Sequence, residues 1–231
     1  MKSELLIIIP AYNEEENIEN TVNVIRNQYS QYDYVVVNDG SKDKTAGICK
    51  KNGYELLDLP VNLGLAGAFQ AGMKYAYEKG YNYAIQFDAD GQHRPEFIES
   101  MLGRIKEDYD IVIGSRFVDQ RKDKSLRMLG SRLITMAIKL TTGIRISDPT
   151  SGMRMFSKPM IAEFAKNLNY GPEPDTVSYL IKNGARVSEV KAIMDERQFG
   201  ESYLNMVNSA KYMVKMLTSI LVVQNFRKRN K

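Results

Sequence analysis

The run YAIQFDADGQH, Tyr83 to His93, is an apolar strand that breaks off into two carboxylates. Its first half lacks the in–out alternation of a half-exposed strand, so the spacing predicts a strand over 83–90 buried on both faces. Asp88 and Asp90 flank a small alanine, Gly91 permits a turn, and Gln92 adds a neutral oxygen. In extended chain, side chains two residues apart share a face, so both carboxylates would point the same way and hold one cation. Oxygen donors of this kind suit Mg²⁺ or Mn²⁺ bridging protein carboxylates and a diphosphate. An Asp-x-Asp also serves as an ordinary strand-ending turn, so its neighbours decide between the two.

Outward from this strand the same rhythm repeats. Buried strands are expected at 5–9, 34–39, 55–59 and 110–115, and helices at 15–28, 44–52, 65–79 and 96–106. Alternation of this kind means βαβ units, a mostly parallel sheet and helices on both faces. Ligands of such sheets sit beyond the carboxyl ends of the strands. After about residue 120 the rhythm changes to a helix over 126–141, a strand-like piece in DPTSGMRMF (148–156), a strand over 186–194 and a long helix over 203–225. No linker or repeat interrupts the chain, so one α/β domain over 1–202 is expected, with a helical extension over 203–231.

Composition narrows the chemistry. The 231 residues are 43% hydrophobic and 26% charged, a globular balance. One cysteine, Cys49, excludes an internal disulfide, and one histidine, His93, excludes a His-rich metal centre. The first apolar run, Leu5–Ile9, is too short for a signal-peptide core or a membrane span, so neither export by that route nor a spanning segment is expected. Of the 32 basic residues, six follow Glu201 with no acid among them, leaving 26 against 28 acids in the body. A cationic end suggests an anionic surface. Aromatics are not interleaved with its charges, which speaks against nucleic acid.

Three more motifs surround the first. In VVVNDGSKDKT (35–45) a strand ends at Asp39, where a carboxylate could accept a hydrogen bond from a base ring N–H, and Ser41 or Asp43 could cap the next helix. In IIIPAYNEEENI (7–18) Pro10 is expected to stop the strand, Asn13 and Glu16 have the form of a capping box, and Ala11 and Tyr12 could pack a base. In NLGLAGA (62–68) Gly64 and Gly67 allow close approach at a helix start.

With IGSRF, DPTSGMRMF and ERQFGES, these pieces stand in the order found in family 2 glycosyltransferases of the GT-A fold, and the chain resembles that family over about residues 4–203. It is most similar to the subgroup of dolichol-phosphate mannose synthase and bacterial polyprenyl-phosphate transferases. The resemblance implies a GT-A nucleotide-diphospho-sugar transferase fold and an inverting, metal-dependent transfer from a UDP- or GDP-linked sugar to a polyprenyl phosphate. It implies nucleotide contacts at Pro10, Ala11, Tyr12, Glu14, Asp39, Gly64 and Asp88, with Mg²⁺ or Mn²⁺ at Asp88, Asp90 and Gln92. Arg116, Arg127, Arg132, Arg197 and Ser202 would meet donor or acceptor phosphate; Asp90, Arg116, Arg197 and Asp148 would be catalytic. Relatives often carry Lys after that serine; here it is Tyr203, so the closing loop has one cation fewer.

The acceptor sets a further requirement. A lipid phosphate is anionic near neutral pH and needs no strong base, whereas a sugar hydroxyl needs a carboxylate to take its proton. The candidates for that base are Asp148, Glu173 and Asp175. A sugar-to-sugar transferase is therefore the alternative enzyme, and a binding protein without turnover the alternative class. On the last helix Met206, Val207, Ala210, Met213, Val214, Leu217, Leu221 and Val222 share one face, which either packs on the domain or meets a membrane or a small membrane-protein partner. The protein is accordingly expected in the cytoplasm, peripheral at the inner face of the membrane, with oligomerisation left open.

Overall fold

The computed structural model describes residues 3–119, 126–167, 170–195 and 206–226. Seven strands form one sheet: β1 (Leu5–Ala11), β2 (Asp33–Asn38), β3 (Leu56–Asp58), β4 (Tyr83–Gln86), β5 (Ile111–Ser115), β6 (Arg154–Ser157) and β7 (Val187–Lys191). Their order is β3-β2-β1-β4-β6-β5-β7. All pairs are parallel except those of β6, which runs antiparallel to both β4 and β5. Among the described residues the helices are α1 (Ile18–Gln28), α2 (Thr45–Lys51), α3 (Gly64–Lys79), α4 (Ile98–Ile105), α5 (Leu126–Thr142), α6 (Lys158–Lys166), α7 (Pro174–Lys182) and α8 (Met206–Leu221).

The uniformly apolar strands are buried on both faces because helices cover both. Leu5, Ile7 and Ile9 of β1 pack in one core with α1, α2 and α4. Leu6 and Ile8 pack in the other with α3, α5, α6, α7 and α8. There the rings of Phe69, Phe156 and Phe164 meet pairwise at 5.1–5.4 Å. Gly72 lets α3 lie directly on β1, since a Cβ there would stand 2.3 Å from Ile8 Cγ2.

Three local expectations change. Pro10 does not stop β1, which runs on to Ala11. Ile8 O receives Phe87 N on the β4 side and Ala11 O receives Asp39 N on the β2 side. Alternation therefore aims the Pro10 nitrogen toward β4, past its last residue, where no ladder bond is lost. The helix expected from Glu15 starts at Ile18 with Asn17 at its N-cap, so the Asn13–Glu16 capping box does not form. The helices α6 and α7 were not anticipated at all. Both are short and open with proline in the first turn, a helix-start signal that in the segment PEPD (172–175) also reads as a turn.

Candidate active site

The carboxyl ends of β1, β2, β4 and β5 share one sheet edge. Because β6 runs the other way, the residues that enter it, 148–153, lie at that same edge. Topology thus brings Asp39, Asp88, Arg116 and Asp148 to one rim from four separate stretches of chain.

On the β1–β2 side two loops are clasped by their backbones. Asn13 N donates to Ser41 Oγ (3.0 Å), Glu14 N to Thr45 Oγ1 (2.9 Å) and Glu15 N to Asp43 Oδ2 (3.0 Å). In return Lys42 N donates to Asn13 Oδ1 (2.9 Å) and Lys44 N to Glu15 Oε2 (3.0 Å). Asn13 takes a left-handed φ of 55° to do this, a conformation asparagine tolerates. So Asn13 and Ser41 bind each other's loops instead of capping helices. Burial would raise the Asp43 carboxyl, but hydrogen bonds from Thr45 and the Glu15 amide outweigh it and hold it below its ordinary value. Asp39 is 3% exposed, and its Oδ1 receives Leu63 N at 2.7 Å. The loop before α3 is thereby tied to β2. Gly40 makes the approach possible, because a Cβ there would stand 2.6 Å from the Val61–Asn62 backbone. Ala11 is buried and Tyr12 half-buried beside Asp39; Gly64 opens α3 with a φ of 73°.

The DADG segment is not extended, as the strand reading supposed. The strand β4 ends at Gln86, and residues 89–91 turn through Gly91 at a φ of 77°. Asp88 precedes that turn and Asp90 lies within it, so strand alternation does not set their directions. Asp88 Oδ1 receives Gln86 Nε2 (3.0 Å), and Asp88 N donates to His93 Nδ1 (2.9 Å). Asp90 Oδ1 receives Gln92 N at 3.1 Å. The side chain of Asp88 remains one-third exposed. Gly152 leaves open the space against it, since a Cβ there would stand 2.7 Å from Asp88 Oδ2. The donors present fit a hard divalent cation that completes its shell with substrate phosphate. Among the described residues no group of three or more His, Cys, Asp or Glu forms an all-protein cage. His93 is buried, stacks edge-on to Phe87 at 5.4 Å and bridges to Met194. Next to that bridge Arg94 grips Asp195 with bonds of 2.8 and 2.5 Å. The chain therefore leaves for residue 196 from beside the DADG turn.

Arg116 follows β5 and forks onto Asp148, with Nε 2.7 Å from Oδ2 and Nη2 2.8 Å from Oδ1. Asp148 is wholly buried and also receives the Arg116 amide at 3.1 Å. Burial disfavours the Arg116 charge, but Asp148 more than offsets it and the guanidinium pKa rises. The other two proposed bases face the C-terminal helix. Glu173 Oε2 receives the Tyr212 hydroxyl at 2.5 Å, Asp175 Oδ2 receives Ser219 Oγ at 2.6 Å, and Gln224 Nε2 donates to the Asp175 carbonyl. Burial and Glu173 push the Tyr212 hydroxyl far above its ordinary pKa. Arg132 is exposed on α5. Arg197, Ser202 and the side chain of Arg127 lie outside the described residues.

Sequence reasoning missed Arg154, in the quoted DPTSGMRMF motif but assigned no part. It sits across from Gln86 in the β4–β6 register, 3% exposed. Its Nη2 donates to Pro149 O at 2.6 Å and its Nε has no partner. Desolvation lowers its pKa, opposed chiefly by the charge of Glu173. Nothing in the sequence marks this arginine as internal except its place between apolar methionines.

Carboxylates and an ion-paired arginine line the edge beyond the parallel strands, and the sheet order is that of the GT-A fold. The chain belongs to glycosyl transferase family 2, whose family model matches residues 6–164. It is 28% identical to a polyprenol monophosphomannose synthase of Mycolicibacterium smegmatis, with 91% of this chain and 84% of that one covered. It is 32% identical to a UDP-N-acetylglucosamine–dolichyl-phosphate N-acetylglucosaminyltransferase of Methanococcus voltae, covering 80% and 83% of the two chains. Among solved structures, glucosyl-3-phosphoglycerate synthase from Mycobacterium tuberculosis, in complex with Mn²⁺, UDP and glucosyl-3-phosphoglycerate, superposes with a TM-score of 0.70. At 16% identity, over 99% of this chain and 82% of that one, this likeness concerns the fold.

Proposed function

We propose that this glycosyltransferase moves a sugar from a nucleotide diphosphate donor to a polyprenyl phosphate, with inversion, for cell-envelope glycan synthesis. The relatives named for polyprenol and dolichyl phosphate support the acceptor class. The observation that carries the reading is the state of the three carboxylates that could deprotonate a hydroxyl. Asp148 is buried in its fork with Arg116, and Glu173 and Asp175 are held by α8. A phosphate monoester, whose second pKa is about 6, needs none of them.

In the proposed reaction an acceptor phosphate oxygen bonds the anomeric carbon as the bond to the donor diphosphate breaks, and the nucleoside diphosphate leaves with that electron pair. Asp39, Pro10, Ala11, Tyr12, Glu14 and Gly64 receive the nucleoside, in loops the clasp has already ordered. Asp88, Asp90 and Gln92 would hold Mg²⁺ or Mn²⁺, which when bound neutralises charge on the leaving diphosphate. Arg116 adds a cation fixed before substrate arrives, so no reorganisation is needed at the moment of transfer. On this reading Asp148 is the positioning partner of Arg116. Arg127 and Arg132 serve the acceptor phosphate, and Arg197 and Ser202 close over the diphosphate.

Residues 1–202 would hold the chemistry and 203–231 the contact with the membrane or a small membrane protein. No described helix is long and apolar enough to cross a bilayer. The protein would then act from the cytoplasm, peripherally, at the inner face of the membrane. A panel of UDP- and GDP-sugars with Mg²⁺ or Mn²⁺, with polyprenyl phosphate or a sugar acceptor, tests the proposal. Metal-dependent product on the lipid phosphate is expected. Turnover confined to a sugar hydroxyl would replace it with the polysaccharide reading.

A further inference from the structure

On α5 the side chains of Leu129, Leu133, Met136 and Leu140 are 48%, 38%, 63% and 78% exposed. At about 100° per residue they fall within an arc of about 60°, a single apolar stripe. On α8 the exposed pair Val214 (64%) and Leu221 (40%) lines up in the same way, and Phe226 just beyond is 81% exposed. The helices cross where Gly130 meets Met213, so closely that a Cβ on Gly130 would fall 1.7 Å from the Met213 sulfur. Around each helix the order is the same: buried core face, neighbouring helix, apolar stripe, then exposed cations. On α5 those cations are Arg132 and Lys139; on α8 they are Lys211 and Lys215. The two stripes therefore adjoin across the crossing, with positive charge on both outer flanks.

Neither helix contains an aspartate or glutamate. That absence selects the occupant. A second copy of this chain, paired face to face, would set lysines against lysines with no carboxylate on either helix to receive them. A surface apolar in depth and anionic at its headgroups matches both parts of the pattern. We propose that the α5–α8 face is the surface by which this protein seats on an anionic bilayer, with the α5 stripe entering the headgroup–acyl boundary. The proposal rests on the polyprenyl phosphate reading for the need to meet a membrane, and on the charge pattern for the choice of face. It shifts the main contact from the basic C-terminal residues to a helix inside the catalytic chain.

The test is co-sedimentation of the full chain with vesicles of phosphatidylcholine alone or mixed equally with phosphatidylglycerol, without sugar donor or polyprenyl phosphate. The wild type is expected to partition onto the mixed vesicles and to weaken as salt rises. A Met136→Gln/Leu140→Gln variant should bind about tenfold less or worse. A Lys139→Gln/Lys211→Gln/Lys215→Gln variant should bind roughly a hundredfold less. All substituted positions are exposed, so both variants should keep their melting temperature and their turnover on a short, water-soluble prenyl phosphate. Vesicle binding unchanged in both variants overturns the proposal. So does a wild-type dimer in light scattering that the Met136/Leu140 variant dissolves, with no vesicle binding. Variant-sensitive binding to vesicles, with no transfer to any prenyl phosphate, upholds the docking face and defeats the acceptor assignment instead.

Discussion

The β1–β2 edge and the α5–α8 layer manage their surfaces in opposite ways. At the first the loops after β1 and β2 exchange five backbone-to-side-chain bonds, and Asp39 ties in a third loop. Those bonds fix the shape before any ligand arrives. On the α5–α8 layer, Tyr212 and Ser219 secure one side of α8 to α7, while Val214 and Leu140 face outward. The first region suits a small polar ligand that must be gripped in one geometry. The second suits a broad, fluid partner that needs apolar area and positive charge but no fixed register.

The largest effect that would sharpen this contrast is at the DADG turn. Asp90→Asn should lower turnover about a hundredfold or more, with the melting temperature nearly unchanged and the metal requirement raised in a titration of rate against Mn²⁺. A near-normal rate with unaltered metal dependence would remove Asp90 from the site.

Next comes the Arg116–Asp148 fork. Asp148→Asn strands a largely buried guanidinium, which should cost about 3 kcal/mol in urea unfolding and lower turnover as well. Adding Arg116→Met should restore much of the stability and none of the activity. If Asp148 were instead a catalytic base, its loss would lower transfer to a sugar hydroxyl far more than transfer to a lipid phosphate.

A smaller effect is expected where the two regions join. Glu173→Gln and Tyr212→Phe should each cost about 1–2 kcal/mol of stability, with turnover kept within a few-fold. A loss of several orders of magnitude in Glu173→Gln, with donor affinity unchanged, would favour a hydroxyl acceptor.

The smallest concerns the clasp. Asn13→Ala should cost about 1 kcal/mol and raise the KM for the donor more than that for the acceptor. The Asp43 carboxyl is held below its ordinary value in the fold. Its contribution is therefore complete above the unfolded carboxylate pKa of about 3.9 and disappears as pH falls through the lower, folded value. Acid unfolding should show that loss in the wild type and lack it in Asp43→Asn.

Most strands and the early helices were legible because burial on both faces requires unbroken apolar runs, and Leu5–Ile9 and Ile111–Ile113 are such runs. The motif residues at strand ends were legible for the same reason: once the strands are placed, Asp39 and Asp88 have one edge to occupy. The apolar face of α8 was legible only in part. Among the described residues it buries Met216 and Ile220, while Val214, Leu221 and Val222 from the expected face are exposed. An apolar stripe does not say which of its edges meets the protein.

The sequence by itself determined the α/β rhythm, the motifs at the strand ends and the acid-free C-terminal stretch, because each depends on residues near one another in the chain. Tertiary structure decided the partners. The reversed direction of β6 brings Asp148 to Arg116, 32 residues away, and sets Arg154 beside Gln86, 68 positions apart in register. It also gave Glu173 and Asp175 to α8, 39 and 44 residues on. A carboxylate's chemistry is set by what stands within about 3 Å of it, and over such separations only the path of the chain fixes that neighbour.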